Sequence, residues 1–194
     1  MNFPIQIFQP FQWFSSKLFV GDANGALIGF VRQHRWPFRD KSWATIFADE
    51  SQQNEIYSVR TERRLLSTGK YEIVDGRGQL VGALNHGWFC TRWRSNYVIR
   101  VDDHSDLQVE MDNFLKHFIA NLYSMIPVIS WMLKPSYRVS RNGHGEVLRM
   151  VLRHSFRGST YCIAQSGQLT AREREAALVA LTMIVLLDRW SPSG

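Results

Sequence analysis

The sequence predicts one mainly β domain (α+β overall), built from repeated hairpins, that buries an apolar C-terminal helix. Three observations predict it. A turn motif flanked by apolar residues occurs twice in the same spacing and a third time with a small change. Aromatic residues make up 13%, including seven Trp and twelve Phe, and such side chains favour pleated, half-buried surfaces. The one long apolar run, residues 176–187, is too short to cross a bilayer. With 194 residues, 45% hydrophobic and 21% charged, the chain fits a single domain over 1–194 with a sizeable core.

The first ten residues carry no charge, Lys17 is the first, and no small-residue cleavage site follows an apolar core; no secretory signal is expected. The first hairpin is read over 18–31 and the second over 71–84. Superposing Gly25 on Gly78 aligns Asp22 with Asp75, Leu27 with Leu80 and Gly29 with Gly82. Asp starts such a turn by bonding the backbone ahead of it, and Gly supplies the positive φ that reverses the chain. The third copy, Tyr137 to Val151, needs a turn one residue longer. Between the copies, Glu55–Arg60, Tyr97–Val101, Leu107–Met111 and Ser159–Ala164 read as further strands, the second and third joined by a turn over Asp102–Asp106. Short strands at this spacing suggest a sandwich or barrel.

Two segments depart from strand patterning. Thr170-Ala171-Arg172-Glu173 has the form of a capping box, which predicts a helix over about 171–190. Residues 176–187 are apolar on every helical face, so they are buried in protein or in a membrane. Twelve residues rise only about 18 Å, against roughly 30 Å of bilayer core, and charges clamp both ends; burial in protein is expected. The other segment, Phe114 to Leu133, begins with helical spacing and is interrupted at Pro127. A helix is expected near 112–126. Met125, Ile126, Pro127, Val128, Ile129 and Trp131 form either a packed core element or an apolar surface contact.

The net charge is +6, mostly from Arg. Such a balance suits phosphorylated headgroups, an anionic membrane face or nucleic acid, and also serves plain solubility. The richest interaction candidate is Arg32 to Trp43, in which Arg32, Arg35, Arg39 and Lys41 interleave with Trp36, Phe38 and Trp43. Cations there would meet phosphates while Trp sits at a headgroup interface. Arg92 and Arg94 flank Trp93, and Arg149, Arg153 and Arg157 form a third basic cluster with His154. No Gly-x-Ser-x-Gly elbow, P-loop or His-Glu-x-x-His motif occurs, and the six His do not pair at metal-ligand spacing. Cys90 and Cys162 make neither a zinc site nor a disulfide framework. No catalysis, metal or cofactor is expected.

The hairpin motif, followed by a capped and wholly apolar final helix, resembles the tubby C-terminal-like superfamily. More closely it resembles the branch of LURP-one-related proteins and phospholipid scramblases. Ile126-Pro127, Lys134 to Val139 and Met183 to Arg189 look like bacterial members of that branch. The resemblance covers roughly 17–190. It implies a closed antiparallel β-barrel of about twelve strands around the C-terminal helix, with phosphoinositide or phospholipid association as the family theme. The acidic calcium-binding segment of scramblases has no counterpart here; Asp102, Asp103 and Asp106 lack the Gly and distal Glu of an EF-hand loop. Two readings follow. One is a cytoplasmic module, peripheral to the inner membrane face, that binds anionic headgroups through surface arginines. The other is a cytosolic scaffold or ligand-binding barrel with protein partners and no membrane role. Nucleic acid gains no support from the resemblance.

Overall fold

A computed structural model describes residues 2–10, 17–33, 42–62, 70–86, 96–102, 105–112, 136–141, 144–155 and 158–190. These form β1 (Ile5–Pro10), β2 (Lys17–Gly21), β3 (Leu27–Gln33), β4 (Ser42–Phe47), β5 (Glu55–Glu62), β6 (Lys70–Asp75), β7 (Leu80–His86), β8 (Asn96–Asp102), β9 (Ser105–Met111), β10 (Ser136–Arg141), β11 (His144–Ser155), β12 (Gly158–Gln165) and α1 (Ala171–Trp190). Each strand pairs antiparallel with its sequence neighbours. β12 returns to β1 through the run from Ile5↔Ile163 to Pro10↔Gly158, which closes the barrel. Closure removes the two unpaired edges that an open sheet would offer to other chains.

The two matching hairpins are built alike. Asp22 Oδ1 accepts from the amides of Asn24 (2.9 Å) and Ala26 (3.0 Å), and Asp75 Oδ1 accepts from those of Arg77 (2.9 Å) and Gln79 (2.8 Å). Gly25 and Gly78 take φ of 79° and 81°. In the third hairpin, β10–β11, the left-handed glycine comes one position later, at Gly145 (φ 68°), and two register shifts absorb the difference. Arg141 stands there where the others have Asp.

Along the strands the described inward residues are mostly apolar, with buried Gln33 on β3 an exception. Ile5 and Ile7 on β1, Leu18 and Val20 on β2, Ile99 and Val101 on β8, Leu107 and Val109 on β9, and Ile163 on β12 all join one buried cluster. Outward positions such as Gln6, Arg32, Arg60, Arg100, Arg138, Arg149 and Arg153 are exposed. A barrel that crosses a membrane has the reverse pattern, an apolar outer belt around a polar lumen.

Twelve strands enclose more space than side chains alone fill, since about eight already bring the interior to that limit. A helix of about 10–12 Å diameter supplies the filler. Ala176–Leu186 of α1 is buried on every face, so the helix lies in the lumen, as its length and capping predict. It packs closest to β7 and β8. Gly82 on β7 makes this approach possible: a Cβ there would lie 2.8 Å from the Arg100 carbonyl oxygen and 3.2 Å from Ala176 Cβ. Among the described residues no helix is long and apolar enough to cross a membrane.

Two strands, β1 and β4, were not foreseen from sequence. The helix expected near 112–126 falls on residues 113–135, outside the described residues; Asp112 is a turn residue after β9.

Candidate functional site

Because every neighbouring pair is antiparallel, the connections fall alternately at the two ends of the barrel. The five that follow even-numbered strands β2 to β10 are short: 22–26, 48–54, 76–79, 103–104 and 142–143. We call this the turn end. The six that follow odd-numbered strands are 11–16, 34–41, 63–69, 87–95, 112–135 and 156–157. Apart from Asp112 they lie outside the described residues, but the strand ends that bound them all belong to the opposite, far end.

Chemistry divides between these two sets. The far-end connections contain ten Lys and Arg (Arg35, Arg39, Lys41, Arg63, Arg64, Arg92, Arg94, Lys116, Lys134 and Arg157) against two acids, Asp40 and Asp112. The turns contain Asp22, Asp49, Glu50 and Asp103 against Arg77 alone. The positive excess of the whole chain therefore resides in the far-end connections. Trp13, Trp36, Trp88, Trp93 and Trp131 belong to them too; Trp43 is the second residue of β4, which starts at the far end, and Trp190 ends α1.

Of the residues singled out from sequence, Arg35, Trp36, Arg39, Lys41, Arg92, Arg94, Arg157, Met125, Ile126, Pro127, Val128, Ile129 and Trp131 lie outside the described residues. Arg32, Arg149 and Arg153 are described, and all three point outward. Arg32 Nη1 donates to Gln52 Oε1 at 2.6 Å, and Arg32 sits opposite Lys17 on β2. Arg149 is engaged: its Nη2 lies 2.7 Å from Glu146 Oε2 and 3.5 Å from Asp112 Oδ2, and these acids hold its pKa above the ordinary value. Asp112 also faces Arg138 at 3.6 Å. Arg153 has no charged partner among the described residues.

The structure also brings together an aromatic row that sequence reading missed. On the outside of the barrel, Phe8, Phe19, Phe30 and Phe47 stand opposite one another across β1, β2, β3 and β4. Ring centroids are 6.5 Å apart for Phe8–Phe19 and 5.5 Å for Phe19–Phe30, the latter edge-on, and Lys17 Nζ lies 5.9 Å from the Phe30 centroid. The row continues through Thr160 to Arg153. The available signal was phase: each Phe stands next to a core residue on its strand, Phe8 to Ile7, Phe19 to Leu18, Phe30 to Val31 and Phe47 to Ile46. Reading it required the strand order.

At the turn end the barrel holds the start of α1. Glu173 N donates to Thr170 Oγ1 (3.2 Å) and Thr170 N to Glu173 Oε2 (2.8 Å), the expected capping box. Arg141 Nη2 reaches the same Glu173 oxygen at 2.8 Å and the Gln168 carbonyl at 3.0 Å. Arg172 donates to the Leu80 carbonyl at 3.0 Å, and the Arg174 guanidinium lies 5.9 Å from the Phe3 ring centroid. Burial, with Glu175 beside it, pushes the Tyr57 hydroxyl up to about 12, so it stays protonated at neutral pH. These contacts anchor the helix; none arranges a nucleophile with a base. No group of three or more His, Cys, Asp and Glu suited to a metal ion occurs among the described residues. The helix occupies the lumen that a ligand-binding barrel would offer. No family model, curated protein or solved structure matches the chain.

Proposed function

We propose that the protein is a non-enzymatic module of the tubby-like kind that binds anionic phospholipid headgroups at a cytoplasmic membrane face. The observation that carries this reading is the division of the connections. Basic and Trp residues scattered through the sequence belong to segments bounded by one end of the barrel. Arginine binds phosphate through paired donors, and Trp favours the headgroup level, so their combination suits a lipid surface. Cytoplasmic leaflets attract basic segments by about 1 kcal/mol per Lys or Arg near the surface. Arg35, Trp36, Arg39, Lys41, Arg92, Arg94 and Arg157 are the proposed headgroup ligands, with Arg32 and Arg153 at their margin and Arg149 least available. Met125 to Trp131 would supply apolar contact.

Co-sedimentation tests this. Vesicles containing phosphatidylserine should retain the protein at low salt and release it as salt rises, while neutral phosphatidylcholine vesicles should not retain it. Arg35→Glu with Arg39→Glu should lower retention at least tenfold. Equal retention on both vesicle types, or none on either, would overturn the reading. In the latter case the filled lumen favours a protein scaffold over a small-ligand barrel.

A further inference from the structure

We infer that the turn end is a negative pole that dictates how the barrel sits on an anionic surface: end-on, with the turns directed away. The inference rests on the lipid-binding reading and adds the orientation, which that reading leaves open. A barrel could also lie on its side, and the Phe8–Phe19–Phe30–Phe47 row flanked by Lys17, Arg32 and Arg153 is the natural candidate for side-on contact.

Charge argues for the end-on arrangement. Asp22, Asp49 and Glu50 lie in the turns, and Glu55, Asp75, Asp106 and Glu146 are at or next to the strand ends that meet them. Glu50 and Glu55 are exposed. Glu146, Asp106 and Glu173 are paired with Arg149, Arg100 and Arg141, and Arg77, Arg172 and Arg174 keep their charge, so the acid excess rests on Asp22, Asp49, Glu50, Glu55, Asp75 and Glu175. Strands mostly of six to eight residues, tilted by about 35–45° in a closed barrel, separate this pole from the far end by about 15–20 Å, roughly two Debye lengths of about 8 Å at physiological ionic strength. Each pole therefore responds to a charged surface almost independently, one attracted and the other repelled, and the resulting torque acts before contact. The side competes poorly. Phe30 on it is fully buried, so its ring is not available to a membrane. Outward charges around the rest of the wall alternate in sign, as at Arg60↔Glu72 and Arg100–Asp106.

Fluorescence transfer to a headgroup-labelled lipid in phosphatidylserine vesicles tests the orientation on the full chain. Single donors are placed by Asn24→Cys at the turn end and by Arg60→Cys, an exposed position near the far end of β5, with Cys90→Ser and Cys162→Ser removing the native thiols. Among molecules that co-sediment, the Asn24→Cys donor should transfer at least threefold less than the Arg60→Cys donor. Adding Glu50→Lys, Glu55→Lys and Gln79→Lys, all at exposed positions, should raise transfer from position 24 by twofold or more, because both ends then attract the surface. Equal or greater transfer from position 24 in the parent, or no change on charge reversal, would overturn the orientation while leaving binding intact. Failure of the parent to co-sediment would overturn both.

Discussion

Glu173 joins the end of the barrel to the start of the helix. Its side chain is 5% exposed, yet it accepts from Thr170 and Arg141 together. Burial alone would raise its pKa; the Thr170 hydrogen bonds and the Arg141 guanidinium outweigh that and hold the carboxyl below its ordinary value of 4.5. A group with a depressed folded-state pKa adds stability above its unfolded pKa and loses it as pH falls through the folded value. Glu173→Gln should therefore cost about 1–2 kcal/mol near pH 7, the range of a lost cap and a charged hydrogen bond. It should cost progressively less below pH 4.5. Thermal melts of the two proteins from pH 7 to pH 3 check this, and a constant difference across that range would contradict it. The capping box was legible because its partners are three residues apart. Arg141 was not, since only folding brings β10 to Glu173.

Elements with local causes were the legible ones. The Asp-x-x-Gly turns declare themselves through backbone chemistry within five residues, and the helix through its cap and an apolar run in which Thr182 alone is polar. β1 and β4 have no such signature. β1 offers only Ile5 and Ile7 to the core, with Pro4, Gln6 and Phe8 beside them, and its partner β12 is nearly the whole chain away. β4 adjoins a basic, aromatic stretch that reads as an interaction segment. The helix carries a sharp expectation. Leu181 is fully buried, and an unpaired carboxylate there has no neutralising partner in an apolar lumen. Leu181→Asp should unfold the domain, losing more than about 4 kcal/mol. A soluble Leu181→Asp protein with the parent's cooperative melt would mean the helix is not the core filler.

For the whole molecule, function-bearing patterns depend on order around the barrel. In sequence, basic and acidic segments simply alternate, which looks like an ordinary mixed surface. Wound into an even number of antiparallel strands, the alternation assigns the acidic turns to one end and the strand ends that bound the basic connections to the other. The helix runs along the same axis: its N-terminus, the positive end of its dipole, lies at the turn end, and its C-terminus is directed to the opposite end. Closure also has a consequence for synthesis. β1 is made first but gains its second neighbour only when β12 appears, and the core filler comes later still. Until then the inner faces of twelve strands have nothing to pack against. A growing chain of this kind is long-lived in an adhesive, half-assembled form, and long-range pairing of this sort folds slowly. A chain ending at residue 168 should bind a hydrophobic dye strongly and aggregate, whereas supplying 169–194 as a separate peptide should restore a cooperative melt. The helix, made after every strand of the barrel, is thus the element that ends this exposed stage.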